Sequence, residues 1–547
     1  VLSIFVLLIH DFEKFSIWLF KKSENFLNSF SFLGWDYIVA SVIICVFIPI
    51  LVVLILLFIV GLFLNSFVEK KAISLLERQL PELKFDQLEV HVFKNAARLS
   101  NIRLKRGEVE INSEKLEVSG LDYWKFLFEK NIDLNMISIS DPEIIYQTAT
   151  NKSSEQDSVA TNGNSKEKGL NKQILVEKLI LNRGKFVLTD SVSENKIKVK
   201  NFDFQLNQLQ VDSSSIQNKI PFEFKSFSLH ADSIFLKVDE RHTINVADIR
   251  VEENKSMLQG LLLTSIYSKR EFQNHTPIEK DRYNLSVDSI AINHQDFGFK
   301  NDSLKYMASR FSIHNADFEI YRDKTQPDDN TVKPMYSEML RKLPFLLKID
   351  TLNVDNARIV YEERIKAGRS PGKVVFAKVQ GEISNLTNFS DSTEFPTTRI
   401  IAEADFMDQA TLQLNWAFKV NNRSDWFSVS GNMGTLSAQN MNTFLTPGMN
   451  VKAKGDITSM IFNFSGNRNV ATGGLNIAYK DFKIEVLKND GTEKSGFLTT
   501  IANIFVKHNG ESGENVNKGL EIERNKTKSF WNYLWSCIKK GALKTFT

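Results

Sequence analysis

Histidine, cysteine and acidic side chains are the residues of this chain that could do catalytic or metal chemistry. The 547 residues include eight histidines and two cysteines. No histidine pair has the spacing of a helical zinc site, and the sequence contains no paired-cysteine motif, phosphate-binding loop or nucleophile elbow. His230, His294 and His314 fall in the turns of a repeated pattern, where we expect a solvated bend residue. We therefore predict no catalytic residue, no metal site, no cofactor and no enzyme.

The acidic residues mostly alternate with apolar ones, as in Glu108-Val109-Glu110-Ile111. This alternation is typical of the solvated face of a strand. The 68 basic side chains nearly balance the 65 acidic ones along the whole length, so the charge pattern indicates no nucleic-acid partner. Cys45 and Cys537 are too far apart in the sequence for a disulfide framework, which leaves the redox compartment open.

One pattern that positions these residues recurs seven times: apolar, any, apolar, two spacers, a small or polar residue, any, apolar, any, apolar. The i, i+2 spacing places each apolar pair on one face of a strand, and the odd step around the central residue indicates a bend or bulge. The repetition predicts a mainly β fold with an elongated, curved antiparallel repeat sheet. The copies begin at Ile102, Ile137, Leu179, Phe227, Ile290, Phe311 and Leu352.

The stretch Tyr37–Val68 contains no charged side chain and exceeds the roughly 20 residues that span a bilayer. It predicts an uncleaved transmembrane helix over residues 37–68. Residues 1–36 contain a short apolar start and an aromatic-rich stretch, and they predict an interfacial or partly spanning segment.

The lysines and arginines beside this stretch give its orientation only weakly. Lys21 and Lys22 precede it, whereas Lys70, Lys71, Arg78 and Lys84 follow it. The positive-inside rule alone would place the C-terminal part in the cytoplasm. Long domains translocate largely regardless of such charges, so the rule does not decide the orientation here.

The rest of the chain divides by composition. Residues 69–147 predict a first β region with a juxtamembrane helix, and the polar residues 148–172 predict a flexible linker. A repeat β body follows over 173–525, with an amphipathic helix near 333–343.

Residues 526–547 predict a basic amphipathic helix, with Trp531, Leu534, Trp535 and Ile538 at helical spacing. One interpretation is a helix that caps the open end of the sheet. The other is a membrane-surface helix, whose candidate residues are Trp531, Trp535, Lys539 and Lys540.

The apolar face of the repeats is the remaining candidate site. A closed sandwich would bury this face against a second sheet, whereas an open groove would need an apolar ligand. For a repeat protein tied to a bilayer the expected ligand is an acyl chain, because each buried methylene contributes about 0.8 kcal/mol. The alternative to a groove-lining role, for every candidate residue, is an ordinary place in the buried core of the sheet. The candidate groove residues are Ile137, Ile139, Leu179, Leu181, Phe186, Ile292, Phe297, Phe311, Ile313, Leu352, Val354 and Ile359.

Several segments resemble the AsmA-like family of the Gram-negative envelope, over roughly residues 40 to 540. The resemblance implies a single-pass inner-membrane anchor, a periplasmic β-groove body and a role in phospholipid transport or outer-membrane biogenesis. The implied partners are a phospholipid or other acyl lipid, the inner membrane, and an outer-membrane or envelope protein. The similar segments are VEKKAISLLERQLPELKFDQLEVHVFKNAARLSNIRLKRGEVEI, LDYWKFLFEKNIDLNMISISDPEIIYQ, VEKLILNRGKFVLTD, IDTLNVDNARIVYEE and GGLNIAYKDFKIEVLKNDG.

The chain is shorter than the bridge-like lipid transfer proteins related to that family. Some 25 to 30 strands at about 4.8 Å each would reach only on the order of 120 to 140 Å. The rival hypothesis is a scaffold for envelope assembly that uses the same sheet and binds no ligand.

Overall fold

A computed structural model describes residues 64–129, 131–148, 173–190, 194–215, 218, 220–301, 303–390, 393–487 and 513–545. The predicted segment 1–36, residues 37–63 of the predicted transmembrane helix and residues 149–172 of the predicted linker lie outside the described residues. No helix within the described ranges combines the length and apolarity needed to cross a membrane.

The chain divides into two compact units. The first contains the described residues up to Gln79 together with Leu88–Ala97, and the second contains Leu80–Gln87 and the chain from Arg98 onward. In the first unit a helix covers residues 64–79, where the sequence predicts helical periodicity. The side chain of Glu69 accepts a hydrogen bond from the backbone nitrogen of Val90 at 2.9 Å, which ties this helix to the 88–97 segment.

In the part of the chain that the structure describes, twenty-three strands form one mixed sheet, so the mainly β prediction is confirmed. The strands are β1 (Leu83–Lys84), β2 (Gln87–His91), β3 (Ala96–Arg106), β4 (Val109–Ser119), β5 (Ile132–Ser140), β6 (Glu143–Gln147), β7 (Ile174–Thr189), β8 (Asn195–Val211), β9 (Ser226–Lys237), β10 (His242–Glu252), β11 (Lys255–Ser265), β12 (Asp281–Asn293), β13 (Asp296–Lys300), β14 (Ser303–Asp323), β15 (Leu346–Arg364), β16 (Gly372–Thr387), β17 (Thr398–Phe406), β18 (Ala410–Phe418), β19 (Phe427–Met433), β20 (Leu436–Ser437), β21 (Val451–Gly466), β22 (Val470–Val486) and β23 (Gly513–Glu523).

Within the described residues, four helices accompany the sheet besides short helical turns. The helix near 333–343 is present as Tyr336–Arg341 and is called the crossover helix below. The predicted C-terminal helix is present as Phe530–Thr545 and is called the C-terminal helix. A further helix, Asn442–Met449, lies between β20 and β21, and the helix over 64–79 belongs to the first unit.

Most strands pair with the next strand along the chain, and most pairs are antiparallel. The prediction of an antiparallel sheet is wrong at two places. β5 and β6 run parallel to β7, and β14 runs parallel to β15. Parallel neighbours need a connection that returns along the strand length. The connection from β14 to β15 spans residues 324–345 and contains the crossover helix, a return path that repeat spacing does not encode.

The predicted bend in the repeat is confirmed in most copies. In five of the seven, the residue just before the central position has a left-handed backbone with φ between 49° and 54°. Asn, Asp and His tolerate this conformation better than other residues with side chains. In the copy that begins at Phe227, Ser233 has φ 57°. The five residues are Asp141, Arg183, His294, Asn315 and Asn356.

The first copy differs from the others. Gly107, with φ 58°, lies between β3 and β4, so this copy is two strands joined by a turn. The copies divided between β5 and β6 and between β12 and β13 instead continue in one direction along a shared neighbouring strand. The prediction of one bent strand is wrong for the first copy, because a glycine with positive φ can reverse the chain as well as bulge it.

The bulges lie side by side across the sheet. Ser140 pairs with Asn182 and Glu143 pairs with Lys185, which sets Asp141 beside Arg183. Further along, the Asn356 side-chain amide donates to Asn315 Oδ1 at 2.8 Å. We call this line of aligned bulges the bulge row.

Candidate functional site, a continuous apolar sheet face

Strand pairing lines up apolar side chains from β5 to β23. Directly paired residues share a face of the sheet, so the registers define one row on one face. We call it the apolar row, and Ser256 is its one polar member. In order of pairing it contains Ile139, Leu181, Phe204, Leu229, Val251, Ser256, Ile292, Phe311, Leu352, Ile383, Ile400, Trp416, Val429, Phe464, Gly473 and Leu520.

The structure brings the twelve candidate groove residues together in two groups. Five belong to β5 and β7, where Ile137 pairs with Leu179 and Ile139 with Leu181, and Phe186 follows the bulge. The other seven belong to β12–β15. In this second group Ile292 pairs with Phe311, Phe311 with Leu352, Ile313 with Val354, and Phe318 with Ile359. Phe297 lies in β13.

Strands β8–β11 connect the two groups, and the sequence-based candidate set left out their apolar residues. Leu181 pairs with Phe204, which pairs in turn with Leu229. Leu229 then pairs with Val251. The alternation in β8 and β10 was a usable signal, but these strands do not match the full repeat. The face is therefore longer than the repeat copies alone indicate.

Exposure divides the apolar row into two parts. From β5 to β17 its side chains are mostly half-buried, and only Ser256 and Ile292 are buried. From β18 onward the exposed fraction falls to 5% for Trp416, 1% for Val429 and 0% for Phe464. The first part is thus an accessible apolar face, and the second part is a closed core.

The C-terminal helix covers the second part of the face. Phe530 stacks on Trp416 with ring centroids 4.6 Å apart and planes within 8°. Tyr533 contacts Phe427 in β19 at 5.7 Å, and Cys537 is buried in the same cluster. This contact lies on the face of the strands, whereas the capping interpretation placed the helix at the open end of the sheet.

The helix buries a different stripe from the predicted one. Phe530, Tyr533, Leu534 and Cys537 are buried. Of the predicted stripe, Leu534 is therefore in the core and Ile538 packs against it partly buried. Trp531 and Trp535 remain 50% and 37% exposed beside that stripe. The prediction is wrong by about one residue of rotation, because apolar residues cover so much of this helix that spacing alone does not select one face.

Two of the four membrane-surface candidates of this helix donate hydrogen bonds within the second unit. Trp531 Nε1 donates to the Tyr336 hydroxyl at 2.9 Å, and Lys540 Nζ donates to the backbone oxygen of Glu521 at 2.6 Å. Lys539 lies on the same last turns of the helix and is half-buried. These contacts hold the exposed aromatic side of the helix in place.

The crossover helix joins the same core. Met335 is buried just before it, and the Tyr336 ring lies 5.3 Å from that of Trp416. Its anchor is the carboxylate of Asp425, which is fully buried. Asp425 accepts hydrogen bonds from Arg341 Nη2 and Ser337 Oγ, each at 2.9 Å, and forms an ion pair with Arg468.

The polar member of the apolar row has its hydrogen bonds satisfied. Ser256 Oγ donates to Gln295 Oε1 at 2.8 Å, and Gln295 Nε2 donates to the backbone oxygen of Glu252 at 2.6 Å. Both side chains are buried. A satisfied pair costs far less than an unpaired buried group, so the apolar face tolerates this interruption.

The opposite face carries a histidine cluster that sequence reasoning missed. His230 lies inside β9, so the prediction of a bend residue is wrong for it. Its Nε2 lies 2.7 Å from Asp248 Oδ2 and 3.4 Å from Asp232 Oδ1, and the three groups could offer ligand atoms to a metal ion. Arg250 Nε lies 3.3 Å from the other oxygen of Asp248, so a cation already competes for that carboxylate. The strand register creates the cluster, since Asp232 pairs with Asp248 and His230 with Arg250.

The other two repeat histidines stay near the bulges. His294 is itself a bulge residue, and its Nδ1 lies 2.9 Å from Ser309 Oγ. His314 Nδ1 lies 3.3 Å from Asp355 Oδ2.

A polar cavity of about 400 Å³ lies beside β3–β7 and is lined by charges of both signs. Arg183 donates from Nε to Asp141 Oδ1 at 2.8 Å and contacts the second carboxylate oxygen through Nη2. This hydrogen bond holds the pKa of Asp141 below its usual value. Paired charges of this kind indicate a structural polar surface.

No protein-family model matches the chain, and no curated protein matches it.

Proposed function

We propose that the chain is a membrane-anchored, AsmA-like periplasmic protein that binds lipid acyl chains along the apolar row and takes part in phospholipid transport or outer-membrane biogenesis. The observation that supports this proposal is the half-buried state of the row from β5 to β17. A continuous accessible apolar surface is unusual in a soluble protein without a partner. In the second part of the row, from β18 onward, the chain's own helices cover the same kind of face and bury it.

A ring contact between distant strands supports a groove rather than a flat face. The Phe227 ring in β9 lies 5.5 Å from that of Phe297 in β13. β10 and β11 lie between them, so a flat sheet would separate the two backbones by about 14 Å at 4.8 Å per strand. Side chains standing on a flat sheet would not meet over that distance, so the contact favours inward curvature.

The chemistry of the row fits an acyl chain. It contains no charged residue, and its one polar side chain is engaged with Gln295. Each methylene removed from water contributes about 0.8 kcal/mol, so affinity would come from chain length without any special polar contact. Catalytic residues are not required for such binding.

The test is native mass spectrometry of the full chain purified in mild detergent. Leu181→Asp places a charge on the apolar row, and Val354→Asp places one beside the row, two residues along β15 from Leu352. We expect each variant to lower co-purifying phospholipid at least tenfold. Leu262→Asp is the matched control, because Leu262 is 45% exposed on the opposite face of β11. It should leave the lipid signal unchanged.

Leu181→Trp adds bulk without charge and separates binding from folding. If the aspartate variants unfold and Leu181→Trp keeps its lipid, the positions are sheet core. Lipid-free wild-type protein would contradict the proposal and favour the envelope scaffold.

Orientation has a separate test. A reporter fused after Thr547 should be active in the periplasm. A cytoplasmic signal would contradict the envelope location.

A further inference from the structure

Exposed aromatic side chains concentrate at one edge of the sheet in the second unit. Four lie in the loop between β4 and β5, one lies just before β9, and two lie in β13. Their exposed fractions range from 38% for Phe224 to 68% for Trp124. We call this set the aromatic rim, and it consists of Tyr123, Trp124, Phe126, Phe128, Phe224, Phe297 and Phe299.

The strand registers show that these residues share one edge. One edge of the sheet contains the loop that precedes β5, the start of β7, the end of β8 and the start of β9. The turn between β10 and β11 and the end of β12 continue this edge toward β13. The pairs that establish this are Ile132 with Ile174, Ile174 with Val211, Asn207 with Ser226, Ser228 with Glu252, and Lys255 with Asn293. From β5 to β13 the edge extends about 29 Å, from six strand steps of about 4.8 Å.

The opposite edge of the same strands is different. Its turns carry charged side chains at Glu108, Asp190, Glu194 and 239–241, and none of the described residues in these turns is aromatic. The loop between β11 and β12 also lies at this edge, and its aromatic residues Tyr267 and Phe272 are half-buried and buried. The exposed apolar residues at this edge include Val238, at 50%, and Ile266, at 54%. The asymmetry shows that aromatic exposure is a property of one edge and not of loops in general.

The rim is continuous with the apolar row. Trp124 and Phe128 have ring centroids 4.2 Å apart. Phe227 contacts both Phe224, at 6.0 Å, and Phe297, at 5.5 Å. Phe227 itself pairs with Leu206 on the apolar face, one step along β9 from Leu229. An apolar molecule that reaches the rim therefore adjoins the face.

We propose that the aromatic rim docks on the surface of a phospholipid bilayer and that acyl chains pass from there onto the apolar row. This inference rests on the proposed lipid function and adds the place of exchange. Tryptophan and tyrosine favour the membrane interface, because one end of each side chain is apolar and the other carries a polar N–H or O–H group. Phenylalanine inserts its apolar ring at the boundary between head groups and acyl chains. The loop from Asp122 to Glu129 carries charges of both signs, which suits a largely zwitterionic surface better than a strongly charged protein partner.

The length of the preceding chain favours the same occupant. The uncharged stretch Tyr37–Val68 ends twelve residues before Leu80, where the second unit begins. If a bilayer holds this stretch, the short connection keeps the second unit close to that bilayer, which gives the membrane surface a high effective concentration.

The docking test uses the full chain reconstituted into vesicles of phosphatidylethanolamine and phosphatidylglycerol that contain nitroxide-labelled lipid. In a Cys45→Ala, Cys537→Ala background, Trp124→Cys and Phe299→Cys carry a small fluorophore on the rim. Val238→Cys carries it on the opposite edge. We expect at least fivefold stronger quenching at both rim sites than at the control site.

Equal quenching at all three sites, or none at the rim, would overturn the docking. Rim sites that lipid does not quench, but that an envelope protein fraction shields, would also overturn it and assign the rim to a protein partner.

A kinetic measurement separates this inference from the proposed function. The triple variant Trp124→Ser, Phe128→Ser, Phe299→Ser should load vesicle lipid about tenfold more slowly while its final occupancy in native mass spectra stays unchanged. Val238→Ser should load at the normal rate. An unchanged rate in the triple variant contradicts the exchange site even if the row binds lipid. Rim quenching in a wild type that binds no lipid would contradict the acyl site and retain the docking.

Discussion

The two parts of the apolar row belong to one sheet and one face, but they differ in burial, because helices cover the second part. In β18–β23 the C-terminal and crossover helices cover the row, and Phe464 is completely buried. In β5–β17 the row is flanked by neighbouring strands of the same sheet, and most of its side chains are half-buried. Strand patterning therefore sets which face is apolar, whereas a second layer decides whether that face becomes core. This is why apolar alternation alone left both outcomes open.

The largest expected contrast concerns Cys537 in the covered part. Burial raises the pKa of its thiol to about 12, so about one thiol in ten thousand is ionised at pH 8. In a Cys45→Ala background, iodoacetamide should modify Cys537 about a thousandfold more slowly than a cysteine placed by Trp535→Cys in a Cys537→Ala chain. Comparable rates would show that the C-terminal helix leaves the face readily.

The same thiol gives a pH dependence. A pKa that is higher in the folded state than in the unfolded state favours folding while the thiol stays protonated. Its contribution should be complete below about pH 8.5, the ordinary cysteine pKa, and should decrease as the pH rises toward 12.

Phenylalanine truncation measures the two parts directly. Phe464→Ala should lower the free energy of unfolding by about 3 to 5 kcal/mol, because it leaves a cavity in a closed core. Phe311→Ala lies in the half-exposed part of the row and should cost about 1 kcal/mol. Urea unfolding of the full chain in detergent, followed by tryptophan fluorescence, gives both values. Equal losses would mean that the first part is also closed.

The anchor of the crossover helix should show a smaller loss. Asp425→Asn removes a buried charge from Arg341 and Arg468, and we expect a cost of about 2 kcal/mol, since both guanidinium groups keep some solvent contact. Asp405→Asn is the control, because Asp405 pairs with the solvent-exposed Lys378. This control should leave the unfolding midpoint unchanged. The opposite ranking would remove Asp425 as the anchor.

The smallest effect concerns the bulge row. Asn356 has φ 54°, and Asn356→Ala should cost about 1 kcal/mol from backbone strain and the lost bond to Asn315. Asn356→Gly loses the same bond without the strain, so its unfolding midpoint should lie between those of Asn356→Ala and the wild type. An alanine variant at least as stable as the glycine variant would contradict strain at this position.

Much of the strand architecture was predictable because the repeat carries both the alternation and the bend. Asn315 and Asn356 stand where the odd step of the pattern places a bulge, and both adopt a left-handed backbone there. The turn at Gly107 could not be distinguished from a bulge by sequence, because a hairpin and a bulge can use the same glycine and the same flanking alternation.

The cover and the polar contacts were not predictable. Phe530 and Trp531 are adjacent aromatic residues that both contact Trp416, and only the tertiary packing buries the first and leaves the second 50% exposed. His230 meets Asp248 because two strands pair in one register, and their 18-residue separation carries no local signal. The parallel step from β14 to β15 depends on a connecting segment and not on the strands themselves.

The bulge row has a consequence for how the molecule can change its length. Each bulge reverses the side-chain phase once, so neighbouring strands agree on both sides of the row only if each carries its reversal at the same height. Deleting one residue from a single strand would turn half of its side chains to the wrong face. Adding a complete hairpin that carries its own bulges would leave the side-chain orientation of every existing strand unchanged. The sheet therefore has a natural unit of growth, the bulged hairpin, and the span of its apolar face can be adjusted in steps of two strands without redesigning any of the others.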